Sequence, residues 1–280
     1  MTILVLGGTG KTGGSLTKLL HEAGISFIVA SRSGKAEPYK AVTFDWFNPS
    51  TFENPFNADS NIDKVYLVVP VAYYDIAPIV NPFIDLAISK GVKRIVLLTT
   101  LQTEPGVEPT FGAVHQYLAS KDIEYAVLRP SWFMQNFAYN FYQSIRENNE
   151  VFSATGDGKI PWISTEDIAQ AAFDTLTTPE SIRKDLLIVG PELLTYDEAA
   201  KLLSSVLGRE IKHKRHTSDE QVKAFSQFLS PEFSKLLVDM EVAVSQGFEE
   251  SCLKEPLSRL YIGKHKLEDY FKANRNVWIK

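Results

Sequence analysis

Gly7-Gly8-Thr9-Gly10-Lys11-Thr12-Gly13 carries the plainest chemistry in this chain. It follows the apolar run Ile3–Leu6 and opens a helical stretch, with glycines at 7, 10 and 13. In that setting the first glycine permits a tight turn. The second lets the main chain approach a pyrophosphate with no Cβ in the way, and the third lets the helix pack close to its strand. The free N–H groups of the first helical turn and the positive end of the helix dipole then face the phosphates. Thr9, Lys11 and Thr12 are the side chains at this mouth. Gly10-Lys11-Thr12 imitates the ending of a nucleotide-hydrolysing P-loop, but the glycine which that loop requires upstream is missing.

A second group ends the next apolar run, at Ala30-Ser31-Arg32-Ser33. An acidic residue here would bond a ribose 2′-hydroxyl, whereas arginine suits a 2′-phosphate. A guanidinium grips phosphate as a bidentate fork. Arg32, helped by Ser31 and Lys35, therefore predicts NADP (NADPH) rather than NAD as cofactor. Asp45, just after a third apolar run, is the candidate partner of the adenine amino group.

No residue is assigned as catalytic. Tyr117-Leu-Ala-Ser-Lys121 has the spacing of a tyrosine acid whose pKa a lysine lowers. Residues four apart share a helix face in any case, so a packing helix produces the same pattern. His115 is a second candidate acid. Trp132-Phe133-Met134, with Phe137, Tyr139, Phe141 and Tyr142, follows a strand, and strand carboxyl ends are where such sheets bind ligands. Trp132, Phe133, Asn136 and Trp162 are the candidates to line a site for a flat aromatic small molecule. Core packing is the competing use of all four. No metal-ligating set stands out.

The elements that must position these residues are legible as alternation. Ile3–Leu6, Phe27–Ala30, Val42–Phe44, Val65–Val69, Arg94–Thr99 and Tyr125–Leu128 are short apolar, β-branched runs. Helical stretches such as Lys11–Ala23 and Ile76–Lys90 lie between them. Buried parallel strands read as continuous apolar runs, and strand–helix alternation implies a doubly wound parallel α/β sheet of the Rossmann type. Later the pattern turns mainly helical. Thr165–Thr178 opens at Ser164 or Thr165. Thr195-Tyr-Asp-Glu198 is a capping box before Ala199–Leu207, with Gly208 behind it. Helix continues from Thr217 to about Gly247, restarting at Pro231, and returns near Leu267–Ala273. The expected organisation is a dinucleotide-binding domain over 1–150 and a smaller substrate-binding lobe over 151–280, interleaved with it.

Bulk properties narrow the function class. The 280 residues are 44% hydrophobic and 22% charged, ordinary for a globular chain, and the net charge of −5 argues against nucleic acid. No apolar run reaches the length of a membrane span, and Ile3–Leu6 is too short for the core of a signal peptide. Cys252 is the only cysteine, which fits a reducing compartment, and the expectation is a cytoplasmic protein.

These motifs also resemble a known family. Gly7–Gly13, Ala30-Ser31-Arg32-Ser33 and Leu128-Arg129-Pro130 look like the NmrA-like branch of the atypical short-chain dehydrogenases. Met1-Thr-Ile-Leu-Val-Leu-Gly-Gly8, Leu128-Arg-Pro-Ser-Trp-Phe-Met134 with Asn136, Phe152-Ser-Ala-Thr-Gly-Asp-Gly-Lys-Ile-Pro161 and Gly190-Pro-Glu-Leu-Leu-Thr-Tyr-Asp197 are similar to the fungal ergot-alkaloid dehydrogenases. The likeness runs to about residue 215 and then fades. It implies an NADP-dependent oxidoreductase of secondary metabolism that delivers hydride to an indole-derived imine or iminium. It also implies relatives without the Tyr–Lys pair, which makes physical sense. An iminium carbon already carries the electrophilic charge, and no alkoxide has to be protonated. Two alternatives stay open: an NADPH-dependent quinone or carbonyl reductase, and a non-catalytic dinucleotide-sensing regulator.

Overall fold

A computed structural model of the chain describes residues 1–70, 73–107 and 111–279. The first stretch runs β1 (Thr2–Leu6), α1 (Lys11–Glu22), β2 (Phe27–Ser31), β3 (Ala41–Thr43), α2 (Asn54–Ala58) and β4 (Ile62–Val68). It continues through α3 (Ala77–Ser89), β5 (Arg94–Leu98), α4 (Phe111–Ala119) and β6 (Glu124–Pro130). Next come α5 (Asn136–Tyr139), α6 (Tyr142–Glu147), β7 (Glu150–Ser153), α7 (Thr165–Thr177) and β8 (Arg183–Val189). The chain ends with α8 (Tyr196–Leu207), β9 (Lys212–Arg215), α9 (Ser218–Phe225), α10 (Pro231–Ser245), α11 (Phe248–Cys252), β10 (Leu260–Ile262) and α12 (Leu267–Ala273).

Two units emerge, and they interleave along the chain. Unit 1 comprises Met1–Arg129 and Ile168–Leu186; unit 2 comprises Pro130–Asp167 and Leu187–Lys280.

Unit 1 is a parallel sheet in the order β8-β6-β5-β4-β1-β2-β3. Ile3 pairs with Phe27, Lys64 with Arg94 and Arg94 with Glu124, all in parallel register. Strand order reverses at β1, which has β2 on one side and β4 on the other. That is the topological switch point at which such sheets bind ligands. Side chains alternate between faces. Leu4, Leu6, Ile28, Val65, Leu67, Ile95 and Leu97 form one core with Phe83, Ile84, Val114 and Leu118 of α3 and α4. Two cations secure the far end of α7. Arg94 donates to the carbonyls of Thr175, Thr178 and Glu180, and Lys64 to that of Leu176 at 2.6 Å. Positive charge at a helix C-terminus meets both the orphan carbonyls and the dipole.

In unit 2, β7 and β9 pair in parallel from Glu150↔Lys212 to Ser153↔Arg215, and β10 pairs with Leu187–Val189 of β8. The core is aromatic. Phe137 meets Trp162, Tyr196 and Phe271 with ring centroids 4.9–6.0 Å apart. Trp278 closes it, donating Nε1 to Phe137 O at 3.1 Å. The capping box at Thr195 and Glu198 forms as the sequence predicts, and Gly208 ends α8 at φ +70°. A second such box, Thr217 with Glu220, opens α9. Strands β7 and β10 were not expected; they are four and three residues long and lack a long apolar run. Among the described residues no helix is long and apolar enough to cross a membrane.

Candidate functional site

The glycine loop closes β1 onto α1. Gly7, at φ +66°, turns the chain, and Gly10 N–H donates to Gly7 O at 2.8 Å. The first helical bond of α1 is Gly14 N–H to Gly10 O. The N–H groups of Lys11, Thr12 and Gly13 therefore precede the helical ladder and point out of the helix mouth. A Cβ on Gly13 would stand 2.3 Å from Gly7 O, so the third glycine is demanded by the close approach of helix and turn. A Cβ on Gly10 would meet only Gly7 O, at 3.1 Å. Outward of Gly10 the space is open, and a side chain there would fill it. On that observation the loop fits a pyrophosphate.

Thr9, Gly10 and Lys11 are exposed at this mouth, whereas Thr12 turns inward. Its hydroxyl accepts from Tyr66 OH at 3.0 Å within the core. Burial pushes the Tyr66 phenol well up, so it stays a donor. What Thr12 presents outward is its backbone N–H. Gly8 carries a constraint that the sequence reading missed: its Cβ would lie 2.7 Å from Val29 Cγ1. The doublet Gly7-Gly8 was the available signal.

At the end of β2 the loop is clasped by Ser31, whose Oγ donates to Lys35 O at 2.9 Å and accepts Lys35 N–H at 3.1 Å. Ser31 is thereby spent on loop shape. Arg32 stands exposed beside it, outside every ion pair among the described residues. The Lys35 side chain is exposed as well. Asp45 follows β3; its Oδ1 accepts Phe47 N–H at 3.0 Å, and its own N–H donates to Thr51 Oγ1 at 2.9 Å. Gly7–Gly13, Ser31–Lys35 and Asp45 thus follow β1, β2 and β3, three neighbouring parallel strands, and share one edge of unit 1.

The acid–base candidates sit elsewhere in unit 1. Tyr117 OH donates to Asp85 Oδ2 at 2.5 Å, Lys121 Nζ pairs with Asp85 Oδ1 at 2.6 Å, and Lys121 also covers the Tyr117 ring. These bonds hold the Asp85 carboxyl below the usual carboxylate range and raise Lys121. The Tyr–Lys pair is a strut between α3 and α4. His115 is 3% exposed, and its Nδ1 has no hydrogen-bond partner among the described residues. Burial lowers its pKa, with Asp185 opposing, so it stays neutral inside the protein. Nearby, the buried Arg129 fans out to Glu104 Oε1 at 2.6 Å, Asp185 Oδ2 at 2.8 Å and Leu101 O at 2.7 Å.

The aromatic segment belongs to unit 2. Phe133 forms a parallel bridge with Ile163, and Trp132 O accepts Ile163 N–H at 3.0 Å. Trp132, Phe133 and Asn136 are half-buried, and the Asn136 carboxamide makes no hydrogen bond among the described residues. Trp162 is different. It is 2% exposed and packs edge-on against Tyr196 at 5.1 Å, so its ring belongs to the core rather than to a ligand surface.

The model of the NmrA-like family matches residues 1–271. Agroclavine dehydrogenase of Claviceps fusiformis is 40% identical over 287 residues, covering 100% of this chain and 99% of that protein. Festuclavine dehydrogenase of Aspergillus fumigatus is 42% identical over 260 residues, 89% of each chain. Among solved structures, triphenylmethane reductase of Citrobacter sp., complexed with NADP(H), shares the fold. Its TM-score is 0.78 at 22% identity, over 98% of this chain and 99% of that one.

Proposed function

This chain belongs to the NmrA-like family, and we propose that it is an NADPH-dependent oxidoreductase that reduces an indole-derived cyclic imine or iminium. The observation that carries the reading is the edge of unit 1. An open, Cβ-free helix mouth at Gly10 lies one strand away from an unpaired guanidinium at Arg32. In this reading the N–H groups of Lys11, Thr12 and Gly13 hold the pyrophosphate and Arg32 holds the 2′-phosphate. Ser31 and Lys35 shape the loop that presents Arg32. Bound NADPH supplies the hydride.

Two facts support the substrate class. The clavine dehydrogenases share about two residues in five with this chain over most of its length. The Tyr117 hydroxyl is committed to Asp85, and His115 is buried. A neutral carbonyl or neutral imine would need a proton donor; an iminium, the protonated or alkylated form, loses positive charge as hydride arrives and needs none. The residues of this chain then have to orient the substrate and exclude water. Trp132 and Phe133 would stack a flat aromatic ring, and Asn136 would offer its amide.

The test is single-turnover oxidation of NADPH by a dihydro-β-carbolinium salt and by p-benzoquinone, with wild type and Tyr117→Phe. Reduction of the iminium at an unchanged rate in the variant is expected. The reading fails if only the quinone reacts and the variant slows it by about 10²–10⁴-fold, the worth of a general acid. Absence of turnover with either, alongside tight NADPH binding, would favour a dinucleotide-sensing role instead.

A further inference from the structure

Two glutamates of unit 2 lie inside the protein. Glu241 of α10 and Glu249 of α11 are each 1% exposed. Carboxyl groups are almost never buried to that degree unless something compensates them. Both are fixed in place. Ala154 N–H, just after β7, donates to Glu241 Oε2 at 2.7 Å, and the Gln221 amide of α9 donates to Oε1 at 3.0 Å. Gln221 is oriented in turn by His216, whose Nδ1 lies 2.8 Å from its Oε1. The partners of Glu241 are therefore neutral donors, and no cation pairs with it among the described residues. Glu249 Oε2 accepts the Ser131 hydroxyl at 2.5 Å.

A third polar group belongs to this interior. Tyr196 is 2% exposed, yet its hydroxyl makes no hydrogen bond among the described residues. Contacts lead from it to Glu241. The Tyr196 ring stacks on His213 at 5.3 Å, His213 Nε2 lies 2.9 Å from Ser153 Oγ, and Ser153 adjoins Ala154, the donor to Glu241. Burial keeps the phenol protonated, and the charges of both Glu241 and Glu249 push the same way. Two carboxyls thus bear on one buried, uncommitted hydroxyl. The aromatic segment adjoins them: Ser131, which binds Glu249, is followed by Trp132, and Trp132 packs against the same core cluster as Tyr196.

We propose that Glu241, Glu249 and the Tyr196 hydroxyl form an anionic subsite that takes the cationic nitrogen of a flat aromatic ligand whose ring lies against Trp132. That this ligand is the substrate rests on the iminium reading. Buried carboxylates attract a cation more strongly than exposed ones do, because the surroundings screen less. A phenol that stays protonated can donate to a carboxylate and accept an N–H at the same time. A neutral ring of the same shape gains only apolar contact, so the subsite selects charged ligands over neutral ones, quinones included.

The probes are β-carbolinium methylated on its pyridine nitrogen, a permanent cation, and a methylcarbazole of the same outline, which is neutral. Both are titrated by fluorescence at pH 8 against wild type, Glu241→Gln, Glu249→Gln, the double glutamine variant and Tyr196→Phe. Glutamine keeps the shape of glutamate, and phenylalanine removes only a hydroxyl without a partner, so folding is preserved; thermal unfolding verifies this. Wild type is expected to bind the cation at least about tenfold more tightly than the neutral ring. Each single glutamine variant should weaken the cation by about tenfold, and Tyr196→Phe by about threefold, while the neutral ring stays within about twofold of wild type. Equal affinity of wild type for the two probes overturns the subsite, as does a folded double variant that keeps the preference. Wild type that prefers the cation, with the preference lost in the variants, supports the subsite even where NADPH reduces no iminium; that last result overturns the iminium reading alone.

Discussion

Alanine at Gly10 and alanine at Gly13 should fail in opposite ways. At Gly13 the new Cβ would lie 2.3 Å from Gly7 O and 2.8 Å from both Gly7 C and Gly8 Cα. A close carbon–oxygen contact is about 3.3 Å, so helix and turn must part by roughly an ångström. All three neighbours are main chain, and no rotamer change relieves the overlap. Overpacking of this kind costs about 1–3 kcal/mol, and the upper end is expected here. For a chain of this size that lowers Tm by about 6–12 °C. At Gly10 the backbone, with φ −86° and ψ −175°, is open to any residue, and the only neighbour is Gly7 O at 3.1 Å. Alanine is a poorer N-cap than glycine, so about 1 kcal/mol of stability goes. Its methyl, however, occupies the space in front of the first-turn N–H groups. Loss of one hydrogen bond to a charged phosphate weakens binding by about 1.5–3 kcal/mol, roughly 10- to 150-fold in Kd. Thermal unfolding by circular dichroism, paired with calorimetric titration of NADPH, reads both effects. A Gly10→Ala variant with wild-type affinity, or a Gly13→Ala variant with wild-type Tm, would refute the division of roles.

Three further outcomes follow from the packing. Tyr117→Phe and Lys121→Ala, at a strut near the surface, should each leave the urea denaturation midpoint nearly unchanged. Arg129→Ala should lose about 3 kcal/mol by the same measurement, because a buried guanidinium that pairs with both Asp185 and Glu104 is removed. Glu241 is 1% exposed, and burial raises its pKa to about 7 despite hydrogen bonds from Ala154 N–H and the Gln221 amide. The folded state therefore holds a proton that the unfolded state has released between about pH 4.3 and pH 7, so stability falls as pH rises through that window. Glu241→Gln should remove on the order of 3 kcal/mol of that pH dependence when Tm is followed from pH 4.5 to 8. Parallel wild-type and variant curves would contradict it.

The inner strands of the unit 1 sheet were readable in the sequence because they are buried on both faces. Such strands appear as unbroken apolar runs, and Ile3–Leu6 or Arg94–Leu98 needs no partner to be recognised. Helix ends were readable where capping chemistry is local, as at Thr195 with Glu198. Strands β7 and β10 were not, since Leu260–Ile262 becomes a strand only through its pairing with Leu187–Val189. The glycine loop was legible as a motif, but its directions were not. Thr12 looks like a ligand contact in sequence and turns toward Tyr66 in space. Trp162 looks like a stacking surface and is core. Tyr117 and Lys121 have a catalytic spacing, yet the residue that engages both is Asp85, far away in the chain, and no spacing rule reports it.

The central claim, a dinucleotide site selective for a 2′-phosphate, is tested most directly by titrating wild type and Arg32→Ala with NADPH and NADH at fixed salt. Wild type should bind NADPH at least about tenfold more tightly than NADH, since a charge-assisted hydrogen bond contributes about 1.5–3 kcal/mol. Arg32→Ala should abolish that preference while leaving NADH affinity unchanged. Equal affinity of wild type for the two cofactors would contradict the account.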